Sequence, residues 1–242
     1  MSDFTCPLTQ TTLTDAIIAD EPHWARQAIK AWDKEDFKRM ESFVTEKYWS
    51  CQQSINVFEV VGTTHPDYQG WTWIEFLSRG ERMKQNLLHR ERAPTYYLDG
   101  EVKLPTMHFV SIDNSGWYVK GDGNHRTCIA RFMFQGMGKT MIHGVTVETY
   151  HTSPLAMHAC ERLRAAVKEK KLPLSIESRR KKVSREDTGG WTRERFEISI
   201  CIRDSQTGAV EALTPPEALL RAAQFERQNT SLLDKLFARR FG

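Results

Sequence analysis

Hydrophobic and polar residues recur along this chain in patterns that predict both strands and helices. Met107 to Ile112, Trp117 to Val119 and Met141 to Thr149 are rich in β-branched and aromatic residues, which favours strands. The apolar run that begins at Cys128 favours a buried helix before the third strand. Asn114 to Gly116 is a typical tight turn. The pattern therefore predicts a strand, a turn, a second strand, a helix and a third strand.

Two amphipathic helices are predicted near the N-terminus. The first begins at Asp20 to Pro22, where acidic residues and a proline favour a helix start, and continues to Trp32. The second covers Phe37 to Tyr48, where apolar residues recur at spacings of three and four. A strand follows over Ile55 to Val61. We expect the two helices to cap the core.

The C-terminal part has a different pattern. Pro154 to Lys170 is predicted to be a helix, and the polar, glycine-ended run from Arg179 to Gly190 is predicted to be an exposed loop. Arg193 to Arg203 and Ala209 to Leu213 alternate around a turn, which predicts a β-hairpin. A last helix opens at Thr214. Together these patterns predict an α+β fold.

The turn before the central helix carries the strongest functional signal. Gly121 and Gly123 permit positive φ, so that backbone N–H groups can approach a ligand before a helix begins near Asn124. His125 and Arg126 lie in the first helical turn, where cations oppose the positive end of the helix dipole. This arrangement predicts an anion site, although glycines at a strand-to-helix turn are also common in α/β domains without one.

The span Pro105 to Tyr150, with its strand, turn, strand, glycine loop, helix and strand, resembles the core of the ParB/sulfiredoxin superfamily. The string DGNHR from Asp122 to Arg126 and the long C-terminal region are most similar to Osa-type plasmid fertility-inhibition proteins. The resemblance implies a mixed sheet core with N-terminal helices and a C-terminal helix plus β-hairpin extension. We expect an N-terminal helical region over 1–53, the core over 54–150, and a basic C-terminal extension over 151–242 packed on it.

The same resemblance implies a function. It implies an ATP-binding protein with ATPase and DNase activity, using ATP and Mg²⁺, that suppresses conjugative DNA transfer through a type IV secretion apparatus. Sulfiredoxins place their catalytic cysteine where this chain has Asn124, so we do not expect sulfinic acid reductase activity. The CTP-binding box of partition ParB proteins differs at Asn124 and His125, so we do not expect gating by CTP. Two other classes stay open: a non-catalytic nucleotide-dependent module that binds DNA or a partner, and a small-molecule kinase on the same fold.

The predicted site combines backbone and side-chain groups. The turn's N–H groups, with His125 and Arg126, would hold phosphates and neutralise charge that develops as a P–O bond breaks. Asp122, His125 and Arg126 are the candidate catalytic residues. The candidate phosphate-binding residues are Gly121, Gly123, Asn124, His125, Arg126 and Thr127, together with Arg82 and Lys84, since the helix before the strand pair reaches the phosphates in the superfamily. Asp99 and Glu101 are the nearest upstream carboxylates that could hold Mg²⁺ or act as a base. We expect Arg126→Ala to abolish nucleotide binding and to leave the fold intact.

Charge is distributed unevenly along the chain. The formal net charge is +3, but the residues from His151 onward contain 18 Lys and Arg against 12 Asp and Glu. The best candidates for contact with the nucleic acid backbone are Arg179, Arg180, Lys181, Lys182 and Arg185. A solubilising loop is the alternative for this cluster. No helix-turn-helix pattern is present, so we expect any DNA to be held through its backbone. The resemblance implies a type IV secretion or relaxosome component as a second partner.

Other patterns narrow the possibilities. No apolar run approaches the roughly 18 residues that a spanning helix needs, so we expect a cytoplasmic protein without a membrane span. The five cysteines are scattered without a C-x-x-C pair, which predicts reduced thiols and no metal site. Gly136 to Thr140 resembles the end of a P-loop, but Met133 stands where that motif needs glycine. Gly138 is therefore predicted to end a helix.

Overall fold

The computed structural model describes Ile17 and residues 20–227, and the chain in it divides into two compact units. The first unit contains the described residues up to 33 together with 48–149 and 187–192. The second contains 34–47, 150–186 and the residues from 193 onward. Six α-helices and nine strands, with parallel and antiparallel pairing, make up the described part, which confirms an α+β fold.

The first unit is built on a mixed sheet with strand order β1-β3-β5-β4-β6-β2. Its strands are β1 (Lys30–Ala31), β2 (Val44–Asn56), β3 (Val60–Thr63), β4 (His108–Ile112), β5 (Trp117–Val119) and β6 (Met141–Thr152), of which β2 begins and β6 ends in the second unit. Its helices are α2 (Trp73–Arg79), α3 (Met83–Arg92) and α4 (Asn124–Met137). Strand β3 pairs in parallel with β1 and β5, whereas β4 and β5 are antiparallel.

The predicted strand, turn, strand, helix and strand between 107 and 149 is confirmed in type and order. The tight turn between β4 and β5 includes Asn114, whose φ is +57°. Helix α4 ends at the predicted glycine, because Gly138 is its C-cap in the left-handed conformation and donates to the carbonyl groups of Phe134 and Gln135. The local signals in this part of the sequence agree with the fold.

Helix α4 is the centre of the first unit's core. Ten of its fourteen residues are buried, which is unusual for a helix and explains its nearly continuous apolar sequence. Within the apolar run that begins at Cys128, Arg131 is a buried charged residue, and its guanidinium lies 4.5 Å from the ring centre of Trp24 and 4.3 Å from that of Trp73. It also donates to the carbonyl groups of Val57 and Val60. Burial lowers the pKa of Arg131 to about 10, so this side chain is a charged part of the core.

The second unit has its own helices and an antiparallel hairpin. Its elements are α1 (Lys34–Met40), the start of β2, α5 (Pro154–Glu169), β7 (Leu174–Thr188), β8 (Trp191–Asp204), β9 (Val210–Leu213) and α6 (Pro215–Arg227). The strand order is β2-β8-β7, and β9 pairs with β8. The hairpin of β8 and β9 and the helices α5 and α6 confirm the predictions for this region.

Three predictions for secondary structure are wrong. The predicted strand from Ile55 to Val61 is interrupted, because β2 ends at Asn56, Val57–Glu59 is a 3-10 helix and β3 begins at Val60. The helix predicted from Asp20 to Trp32 does not form, because 20–29 forms turns and Lys30–Ala31 is a strand. The second predicted helix is shorter and starts earlier, since α1 is followed by a 3-10 helix over Glu41–Phe43 before β2 begins. The basic run from Arg179 is not a loop, since it lies within strand β7. Within the described ranges, no helix has the length and hydropathy needed to cross a lipid bilayer.

Candidate functional site

The predicted glycine turn lies between β5 and α4. Gly123 is the N-cap of α4 with φ of +111°, and a Cβ there would approach the Cα of Met107 to 3.3 Å. The turn therefore favours glycine for its backbone conformation and for its close contact with a neighbouring segment. Asp122 caps the turn, since its Oδ1 accepts from the backbone N–H of Gly123 at 2.7 Å. That N–H is thus engaged within the loop.

Asn124 fastens the turn to the sheet. Its side-chain amide donates to the carbonyl oxygen of Gly121 at 3.2 Å, and its Oδ1 accepts from the hydroxyl of Thr63 at 2.7 Å. Asn124 and Thr63 are both buried. Asn124 therefore holds the shape of the loop through its side-chain amide.

Arg126 is a buried side chain with four partners. Its guanidinium donates to the hydroxyl of Tyr96 at 2.6 Å, to the carbonyl oxygen of Pro105, and to that of Thr106 at 3.2 Å. It also forms an ion pair of 3.0 Å with Asp122. Because most of its donors are already occupied, Arg126 joins the loop, the segment before β4 and the turn after α3.

The segment that receives Arg126 is itself fixed by a close approach to strand β6. Gly144 has φ of +67°, and a Cβ there would collide with the carbonyl oxygen of Glu101. The backbone N–H of Lys103 donates to the carbonyl oxygen of Gly144 at 2.8 Å. The ammonium group of buried Lys103 donates to the carboxylate of Asp99. Asp99 is thus engaged in holding this segment.

His125 faces helix α3 and an aromatic cluster. Its ring centre lies 4.9 Å from that of Phe76 and 5.5 Å from that of Tyr68. The backbone N–H of Arg82, at the N-cap of α3, donates to His125 Nε2 at 3.4 Å. Burial, assisted by the positive charge of Arg82, lowers the pKa of His125. The ring is therefore neutral near pH 7, with its proton on Nδ1.

These groups border a cleft of about 710 Å³ within the first unit. One wall is the turn before α4, and the opposite wall is α3 with the turn that follows it. The lining residues are His65, Asp67, Tyr68, Glu81, Arg82, Gln85, Asn86, His89, Arg90, Arg92, Ala93, Tyr96, Tyr97, Leu104, Pro105 and Gly121 to Arg126. A cleft of this size can hold a ligand as large as a nucleotide.

The cleft collects most of the predicted site residues. Gly121, Asp122, Gly123, Asn124, His125, Arg126 and Arg82 all line it. Thr127 is fully buried, Lys84 is exposed on α3, and neither contributes to the lining. Asp99 and Glu101 also lie outside the lining. The carboxylates that do face the cleft are Asp67, Glu81 and Asp122.

Sequence reasoning missed the residues that come from other segments. His65 and Tyr68, which follow β3, form a stacked pair with ring centres 4.5 Å apart. Tyr96 receives a hydrogen bond from Arg126, and burial raises the pKa of Tyr96 against the opposing charge of Arg126. A signal for α3 was present, because its polar residues recur at helical spacing from Arg82 to Arg92.

The predicted nucleic-acid residues lie in the second unit on strand β7 and have acidic partners. Arg180 pairs with Glu41 at 2.6 Å, Arg179 pairs with Glu177 at 3.4 Å, and Lys182 pairs with Glu194. Arg185 pairs with Glu194 as well, at 3.4 Å. The hydrogen bond from Lys182 and the nearby positive charges lower the pKa of Glu194. Lys181 is exposed on the same strand.

None of the described cysteines lines the cleft. The four described cysteines, Cys51, Cys128, Cys160 and Cys201, are free of disulfide bonds, and Cys6 lies outside the described residues. Cys128 is fully buried, and this burial raises the pKa of its thiol. In the portion of the chain that the structure describes, no group of three or more His, Cys, Asp or Glu side chains is placed to hold a metal ion.

Comparison with protein-family models, with curated proteins and with solved structures finds no match to this chain. The resemblance to the ParB/sulfiredoxin superfamily therefore stays a prediction from the residues between 105 and 150. What the chain does has to be argued from the cleft itself.

Proposed function

We propose that this chain binds a nucleotide by its phosphates in the cleft between α3 and the turn before α4. The observation that carries the proposal is that one hollow brings a helix N-terminus with its glycine turn together with Arg82, His125 and Arg126. Backbone N–H groups at a helix N-terminus and nearby guanidinium groups are the usual donors to phosphate. ATP is the nucleotide that the family resemblance implies.

Within this site the residues would have different roles. Asn124 and Arg126 hold the turn in shape, as their hydrogen bonds indicate. Arg82 is exposed at the cleft and supplies a guanidinium group to the phosphates. His125, neutral with its proton on Nδ1, supplies a hydrogen-bond donor.

Magnesium fits this cleft only as the companion of a nucleotide. Mg²⁺ is usually held by one or two carboxylates together with substrate phosphates. Asp67 and Glu81 line the cleft and are the carboxylates that would hold such an ion. The bound ion would neutralise part of the phosphate charge.

Hydrolysis of ATP and cleavage of DNA extend this proposal and rest on the resemblance, as does a role in suppressing conjugative transfer. One specific observation favours a binding module without turnover instead. Two of the three side chains predicted to be catalytic, Asp122 and Arg126, are paired with each other and with backbone groups of the fold. Among the described residues that line the cleft, Glu81 and Asp67 are then the carboxylates left for a general base.

The test compares the parent protein with Arg82→Ala and with Lys139→Ala. Lys139 is an exposed cation that follows the other end of α4, about 20 Å along the helix from Gly123. Titration calorimetry with ATP and Mg²⁺ should show a loss of at least about tenfold in affinity for Arg82→Ala and less than about twofold for Lys139→Ala.

Phosphate release and plasmid integrity are measured in the same samples. Release or nicking by the parent protein that Arg82→Ala loses would support an ATPase or nuclease. Binding without either reaction would support the binding module. If the parent protein binds neither ATP nor any other nucleoside triphosphate, the proposed function is wrong.

A further inference from the structure

The wall that α3 presents to the cleft is longer than one phosphate group requires. Arg82, Gln85, Asn86, His89 and Arg92 all line the cleft, at spacings of three, one, three and three residues. This periodicity places them on one face of the helix. At 1.5 Å per residue, Arg82 and Arg92 are about 15 Å apart along the axis.

An arginine lies at each end of this wall, and Glu81 lies beside the first of them. Arg82 and Arg92 are exposed, and neither forms an ion pair with any residue that the structure describes. His89 lies between them. The phosphates of one nucleotide form a single compact chain, whereas cations spread along a helix match a ligand whose negative charges are also spread.

Each end of the wall also has an aromatic surface. Near Arg82, the stacked pair of His65 and Tyr68 lies beside His125. At the other end, the turn after α3 places Tyr96 against Arg126 at 2.6 Å. All of these rings border the cleft. Basic side chains interleaved with aromatic rings are the common means of holding single-stranded nucleic acid without sequence preference.

We infer that the ligand of this cleft is a segment of single-stranded nucleic acid that lies along α3. Its phosphates contact Arg82 and Arg92, and its bases stack on His65 at one end and on Tyr96 at the other. One strand of a duplex rises 3.4 Å per nucleotide along its axis, so a stacked strand with this rise would cover 15 Å with about four nucleotides. The inference rests on the proposed function, because it assigns a ligand to the same phosphate-binding cleft.

The experiment measures fluorescence anisotropy of labelled oligothymidylates of about two, four and eight nucleotides, with ATP binding measured in parallel. The variants are Arg92→Ala, His65→Ala and the control Lys139→Ala. Affinity should rise steeply up to about four nucleotides. Arg92→Ala should weaken oligonucleotide binding about fivefold or more and change ATP affinity less than about twofold.

The salt dependence gives a second measurement on the same samples. Removing one phosphate contact should reduce the slope of log K against log salt by about 0.7 for Arg92→Ala, with no change for Lys139→Ala. His65→Ala should weaken oligonucleotide binding about fivefold or more without changing this slope, since stacking releases no counterions.

The outcomes separate this inference from the proposed function. If the parent protein binds ATP but no oligonucleotide, or binds all lengths equally, the strand inference is wrong and the nucleotide site stands. Equal effects of Arg92→Ala on ATP and on oligonucleotide would also overturn it. Failure of the parent protein to bind either ligand would overturn both proposals.

Discussion

Helix α3 and strand β7 carry the two basic runs of this chain, and they present their charges in different ways. On α3, the residues from Arg82 to Arg92 that face one side line a hollow. On β7, neighbouring side chains alternate between faces, so that Arg179 and Arg180 point to opposite sides. Carboxylates from the same or other strands and turns pair with most of the β7 cations.

This difference shows that the density of positive charge in a sequence is a weak guide to an anion site. The run on β7 is the denser one, yet its cations lie on an open strand beside acidic partners. The cations of α3 are more widely spaced, and the helix brings them to one concave surface beside a helix N-terminus. Concavity raises the local field and excludes water, which strengthens each contact with an anion.

Among the variants that test this comparison, Arg126→Ala is expected to have the largest effect, a loss of stability. Arg126→Ala removes the donor to the hydroxyl of Tyr96 and to the carbonyl groups of Pro105 and Thr106, and leaves these three acceptors without that partner. We expect a loss of about 2–4 kcal/mol in the free energy of unfolding, measured by urea denaturation. The earlier expectation that this variant keeps its fold intact therefore needs to be tested before any binding result is interpreted.

Arg82→Ala is the matched comparison, because Arg82 is exposed and lines the same cleft. Its free energy of unfolding should change by less than about 0.5 kcal/mol. If Arg126→Ala were equally harmless to stability, its contacts would be dispensable for the fold, and Arg126 would again be a candidate for direct phosphate binding.

A smaller effect is expected from the protonation of His125. Because burial and Arg82 lower its pKa in the folded protein, the unfolded chain binds the proton more readily. The neutral ring's contribution to stability is fully present above the ordinary pKa of about 6.5 and is lost as the pH falls through the lower folded value. Between about pH 7.5 and 5.5, the parent protein should lose up to about 1 kcal/mol more unfolding free energy than His125→Phe.

His125→Phe keeps an aromatic ring against Tyr68 and Phe76 and removes the titration. Urea denaturation of both proteins at the two pH values isolates the contribution of this one ring. Identical pH dependence in the two proteins would mean that His125 is as accessible to protons in the folded protein as in the unfolded chain.

The smallest effect, on oligonucleotide affinity, is expected from removing cations of strand β7. The double variant Arg179→Ala/Lys181→Ala removes two exposed cations from a strand whose charges are partly compensated. We expect its affinity for an oligonucleotide to change less than about twofold at physiological salt, against about tenfold for Arg82→Ala. A loss as large as that of Arg82→Ala would move the nucleic-acid surface to β7, as the sequence predicted.

The parts of the fold that could be predicted are those whose signals are local. The glycine turn before α4 and the glycine cap after it are fixed by backbone conformations that few other residues adopt. The helix predicted for the segment from 20 to 29 is wrong, although its apolar residues have helical spacing. Trp24 instead packs on Arg131, and Ile29 donates its backbone N–H to Trp71, so long-range contacts decide its structure.

Most of the residues predicted to form a loop from Arg179 to Gly190 lie in strand β7, and here a local signal was missing rather than misleading. Its residues from 181 to 188 are exposed throughout, so it has no alternation of apolar and polar positions to reveal a strand. The candidate site was half predictable in the same sense. The glycines and basic residues at the first turn of α4 predicted one wall of the cleft. The opposite wall begins at Arg82, 43 positions before His125, and its place depends on packing that no local sequence pattern shows.

The shape of the cleft depends on Gly144, although Gly144 lies in strand β6, which contributes no residue to the lining. Any side chain at position 144 would displace the backbone of Glu101. The segment that begins there also carries the Pro105 carbonyl group that accepts from Arg126, so the shape of the cleft depends on a residue outside it. Natural variation that preserves every lining residue can still alter the ligand through this one position. The evolutionary unit of this site is therefore larger than the surface that a ligand touches.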